Sequence, residues 1–123
     1  MPQLFARIDT IFLTVSNLER STDWYVKHLG FQVRWQMEEA GYTALDIGSG
    51  ETPLTLARAA KGVEVRTSGH CVFNLFAADL QRAHESLTAG GVDVDPIQRD
   101  ENVEWFEFRD PDGHILGVCH FDS

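Results

Sequence analysis

Only two of the 123 residues are cysteine, Cys71 and Cys119. They show neither CxxC spacing nor the density of a disulfide scaffold, so stability has to come from a packed core and a reducing cytoplasm is the expected compartment. Basic residues are also scarce, 10 against 19 acidic ones, for a formal net charge of -9. Nucleic-acid binders need clustered Lys and Arg that displace counterions, so this balance argues against a nucleic-acid partner. No stretch approaches the ~20 continuous apolar residues of a spanning helix, and residues 1–7 lack the charged-then-apolar pattern of an export signal. A soluble cytoplasmic protein with no membrane partner is expected. There is also no GxGxxG, Walker loop or HExxH to announce a nucleotide or zinc site.

What the chain does have is a composition that is 43% hydrophobic and 24% charged. A domain of this length buries roughly two-thirds of the surface its unfolded chain exposes, enough for a real core without metal or disulfide staples. The core is built twice. Thr10–Val15 (TIFLTV) alternates, Ser16–Leu29 reads as a helix and Phe31–Trp35 alternates again. In the second half His70–Leu75 (HCVFNL), a helix over Asp79–Ala89 and Val92–Val94 repeat the order. Leu18 and Leu80, Gly30 and Gly91, Val33 and Val94 then stand at nearly constant separation. Tyr42–Ile47, a glycine-rich turn and Pro53–Ala57 likewise parallel Val103–Arg109, the turn Asp110-Pro111-Asp112-Gly113 and Ile115–Cys119. Each half reads strand, helix, strand, strand, strand. Ser16 and Glu19 form an S-x-x-E capping box, Gly30 can close the first helix in the left-handed conformation, and Asp79 opens the second. His84 and Glu85 read as exposed helix residues.

Strand alternation separates two faces. Ile11, Leu13 and Val15 are uniformly apolar, as are Leu54 and Leu56, and their duplicates Cys71, Phe73 and Leu75 with Leu116 and Val118. These face the helices. Thr10, Phe12, Thr14 and Thr55, with His70, Val72, Asn74 and Gly117, form mixed faces that do not read as packed core. Curved sheets with helices outside would gather such faces around a concave small-molecule site.

Ile8–Tyr25 (IDTIFLTVSNLERSTDWY), Gly69-His70 at the head of a strand and Phe108–Val118 (FRDPDGHILGV) resemble the vicinal oxygen chelate superfamily, which includes glyoxalase I, bleomycin resistance proteins and extradiol dioxygenases. The resemblance runs from about Arg7 to His120. It implies an α+β fold of two tandem βαβββ modules, residues 7–58 and 69–121 with a linker over 59–68, forming one domain with an open cup-shaped sheet and helices outside. It also implies a homodimer. Members with metal chemistry place His, Gln or Glu ligands on the first and fourth strands of each module. Carried onto this chain, those positions are Thr10 and Thr55 in the first module, His70 and Gly117 in the second. Only His70 coordinates well, whereas a catalytic divalent ion usually takes about three protein ligands. The chain keeps the scaffold and departs from the ligand pattern at three of four places, so no metal and no cofactor is expected.

The expected ligand-binding residues are Thr10, Phe12, Trp35, Thr55, His70, Asn74, Trp105, Gly117 and Cys119. Phe12, Trp35, Tyr42, Trp105, Phe106 and Phe108 are candidates for a stacking pocket, most of them for the core. Trp105, beside Glu104 and Glu107, could hold a cation. By strand parity Cys119 shares the face of Gly117 and His120 does not. The function expected is binding of a small, partly apolar organic molecule, of the sequestration or resistance type. The alternative is a lyase, isomerase or dioxygenase with a relocated metal or with His70 and Glu107 as its acid and base. A third reading is an interaction module whose cup is filled by its own aromatics.

Overall fold

The structure, a computed structural model, describes residues 2–122. The chain divides after Val65 into two compact units. The first runs β1 (Ile11–Val15), α1 (Leu18–Leu29), β2 (Gln32–Met37), β3 (Tyr42–Asp46) and β4 (Leu54–Arg58). The second runs β5 (Cys71–Phe76), α2 (Leu80–Ala89), β6 (Gln98–Asp100), β7 (Val103–Arg109) and β8 (Ile115–Phe121). Each unit is a four-stranded mixed sheet with one helix, in the orders β1-β4-β3-β2 and β5-β8-β7-β6. The first pair in each order is parallel and the others antiparallel. Among the described residues no helix is long and apolar enough to cross a membrane.

The apolar strand faces lie under the helices. In the first unit Leu13, Val15, Leu45, Leu54 and Leu56 are buried with Leu18 and Tyr25 of α1, which packs on β3 and β4. Tyr25 stacks on Phe31 with ring centroids 6.0 Å apart. In the second unit Phe106, Phe108, Leu116 and Val118 are buried with Leu80 and Leu87 of α2. Each such side chain contributes ~1.5–3 kcal/mol relative to exposure, so these two layers dominate the stability of their units. The tight connection between β7 and β8 is fixed by Asp110, whose Oδ1 accepts from the backbone N–H of Asp112 and His114. Gly113 supplies the positive φ of 88° that the turn requires.

Three local expectations are corrected. The N-cap of α1 is Asn17 rather than Ser16: Asn17 Oδ1 accepts from Arg20 N at 2.9 Å, and Ser16 Oγ instead accepts from the Arg20 guanidinium. The strand expected at Val92–Val94 lies at Gln98–Asp100. Pro96 has no N–H to continue a ladder, and Val94 makes only an isolated bridge to Phe108. His84 is half-buried, its Nε2 2.9 Å from the Asp95 carbonyl and its ring edge-on to Phe106.

Candidate functional site

On the first sheet, the register sets Phe12 beside Thr55, Thr55 beside Ala44 and Ala44 beside Trp35. This row lies on the face away from α1. Alternation brings Tyr42 onto the same face, with its ring centroid 6.2 Å from that of Phe12. Phe12, Trp35, Tyr42 and Thr55, together with Thr10, line a hollow of about 330 Å³. Phe12 is 63% exposed, Trp35 43% and Tyr42 38%. Such exposure of three aromatic rings on one face marks a surface suited to an apolar partner. Beneath them Thr55 is buried, and its Oγ1 lies 2.7 Å from Thr10 Oγ1. Thr10 Oγ1 also donates to the Pro53 carbonyl at 3.0 Å, so the hydroxyl pair is satisfied within the protein.

Arg34 also lines this hollow, a position alternation does not indicate. The register between β2 and β3 shifts between Val33 and Trp35, and Arg34 sits in that irregularity. Its guanidinium is held by Asp46 Oδ1 at 2.5 Å and by the Glu51 carbonyl at 3.2 Å. It therefore presents a positioned, partly neutralised edge rather than a free charge.

On the second sheet a comparable irregularity falls between Cys71 and Asn74 on β5. Alternation places Cys71 on the helix side, opposite Asn74. The extra residue puts both against Gly117 instead: a Cβ built on Gly117 would stand 2.0 Å from Asn74 Oδ1 and 2.9 Å from Cys71 Sγ. Glu107 is opposite Gly117, and Trp105 opposite Cys119. Asn74, Trp105, Glu107, Gly117 and Cys119 thus share one sheet face, joined by Cys71. Burial pushes the Cys71 thiol up from its ordinary range, and the Glu107 carboxylate pushes it further. A thiol held neutral is a poor nucleophile.

His70 meets this group at backbone rather than at a side chain. It precedes β5, is exposed, and has its Nδ1 3.3 Å from the Cys71 carbonyl. Cys71, whose Sγ lies 2.9 Å from where a Gly117 Cβ would stand, is placed toward Gly117 much as Thr10 is placed toward Thr55. Of the other candidates, Phe106 and Phe108 are core, and Glu104 pairs with Arg99 at 3.2 Å. His120 is directed to the Ala77 carbonyl at 2.7 Å.

Comparison with known proteins agrees with this architecture. Residues 7–118 match the family model described as Glyoxalase/Bleomycin resistance protein/Dioxygenase superfamily. The chain belongs to this superfamily. No curated protein sequence matches it significantly. Among solved structures, the superfamily fold is shared with TnmS3, an antibiotic binding protein from Streptomyces sp. CB03234, at TM-score 0.85 and 21% identity over 98% of this chain and 100% of that one. A superfamily member from Sphaerobacter thermophilus DSM 20745 aligns at TM-score 0.81 and 21% identity, over 96% of this chain and 99% of that one. TioX from Micromonospora sp. ML1 aligns at 0.72 and 23%, over 93% and 95%. At these identities the likeness is one of fold.

The metal chemistry implied by the superfamily does not fit the side chains present. Thr10 and Thr55 are hydrogen-bonded to each other, Gly117 has no side chain, and the space beside it is filled by Asn74. Among the described residues no group of three or more His, Cys, Asp or Glu is placed to hold a metal ion.

Proposed function

We propose that this protein binds a small, partly apolar organic molecule through the open faces of its sheets and holds it without transforming it. The observation that carries the reading is the hollow on the first sheet, where three exposed aromatic rings surround a threonine pair that is already satisfied. Aromatic walls stack on planar or apolar ligands, while a saturated floor offers neither a free nucleophile nor a ligand set. The antibiotic-binding description of TnmS3, which shares the fold, supports the same class of function. In this reading the chain acts as one metal-free, cytoplasmic domain. It pairs as a homodimer, consistent with the uncovered Leu4, Phe5 and Ile8.

The test is a tryptophan-fluorescence titration against a panel of polycyclic aromatic antibiotics, with Trp35→Ala and Phe12→Ala beside the parent. One-to-one binding is expected, each variant weakening it about tenfold, or ~1.4 kcal/mol. Calorimetric titration with Ni, Zn, Mn and Fe(II) is the counter-test: submicromolar one-to-one binding abolished by His70→Ala overturns the metal-free reading.

A further inference from the structure

A second hollow, of about 390 Å³, lies on the other side of the first sheet, between α1 and the turn joining β2 to β3. Its rim is acidic. Glu19 and Asp23 stand one helical turn apart on α1, so they share a face, and Glu38 and Glu39 come from the turn. All four are exposed, and among the described residues none of their carboxylates forms an ion pair. Like charges at i and i+4 on a helix are destabilising in the absence of a cation. The one basic residue lining the hollow, Arg58, donates to the backbone carbonyl of Glu38 at 3.0 Å rather than to a carboxylate.

The lining also includes two threonines that the fold leaves unanswered. Thr22 on α1 is 5% exposed and Thr43 on β3 is 1% exposed, and the hydroxyl oxygens of both are buried with no hydrogen-bond partner among the described residues. Buried polar groups are paired in the great majority of cases, and an orphaned one costs about 1–3 kcal/mol. Nothing in packing α1 against the sheet requires a hydroxyl at either place, since valine has the same shape.

We propose that this hollow binds an extended organic cation of the polyamine class, whose ammonium groups are held by the rim carboxylates and whose N–H groups reach the Thr22 and Thr43 hydroxyls. The acidic residues are not gathered tightly enough to hold a metal ion. Carboxylates spread over a helix and a turn match separated positive charges on a flexible chain instead. An ammonium is donor-only, which suits carboxylates and hydroxyl lone pairs alike. The site is distinct from the aromatic hollow on the opposite face and does not depend on the function proposed for it.

Spermidine titrated calorimetrically at low salt tests the assignment, with Mg²⁺ as the compact-cation comparison. One-to-one binding is expected, weakened about tenfold or more by Asp23→Asn with Glu38→Gln. A matched removal of two charges in the second unit, Glu85→Gln with Glu101→Gln, is expected to leave the affinity unchanged. Thr43→Val should weaken spermidine without lowering the melting temperature, whereas a merely structural threonine would lower it. The assignment is overturned by absence of saturable binding, by equal losses in the two double variants, or by Mg²⁺ displacing spermidine stoichiometrically.

Discussion

At position 117 a side chain would have nowhere to go. The backbone of β8 passes so close to β5 that a methyl group there would overlap Asn74 Oδ1 and crowd Cys71 Sγ. Gly117→Ala is therefore expected to destabilise by about 1–3 kcal/mol, the usual range for forcing extra volume into a packed site. Urea unfolding measures it, and combining it with Asn74→Ala should recover part of the loss because the nearer obstacle is gone. Equal stability of Gly117→Ala and the parent would show that β5 and β8 are not held this closely. The same neighbourhood shows what residue-level reading misses. Alternation of polar and apolar residues correctly sets Leu116 and Val118 against Gly117, because β7 and β8 pair without interruption. It fails for Cys71, because one extra residue in β5 reverses the face of everything before it and leaves no mark in composition.

Among the elements, the helices are the most legible, since their ends are written in local chemistry. Gly30 closes α1 at φ 72°, and Asp79 opens α2 by accepting from Arg82 N at 3.1 Å. At the start of α1 the cap is Asn17 rather than the expected Ser16, and its extended backbone sets it just outside the helix. Asn17→Ala is expected to cost about 1 kcal/mol, since it leaves the Arg20 N–H without its partner. Ser16→Ala is expected to cost less, because Ser16 is not the N-cap and its contact with the Arg20 guanidinium is an exposed one. Thermal denaturation followed by circular dichroism separates the two, and the reverse order would return the cap to Ser16. Short strands are read less well. β6 has three residues and its place depends on where Pro96 interrupts the chain, a tertiary compromise that periodicity over so few residues does not capture.

For the whole molecule, the duplication is the feature sequence conveys best, because a shift preserved across strand, helix, glycine and strand carries more information than any one of them. Charge acts at the same scale. The ion pairs Arg7–Asp9, Arg34–Asp46, Arg99–Glu104 and Arg109–Asp95 all retain substantial exposure on at least one partner. Exposed pairs are each worth about 0–1 kcal/mol, so they offset little of the self-repulsion expected from a net charge of -9. Salt shortens the reach of that repulsion from ~10 Å at 0.1 M to ~3 Å at 1 M. Raising sodium chloride over this range is therefore expected to raise the melting temperature by about 2–6 °C. Asp23→Asn with Glu38→Gln should reduce that rise, because these substitutions remove repulsion before salt can screen it. A melting temperature that falls with salt would mean that attraction within the ion pairs outweighs the excess of acid, and would place the electrostatic balance of this fold on the opposite side.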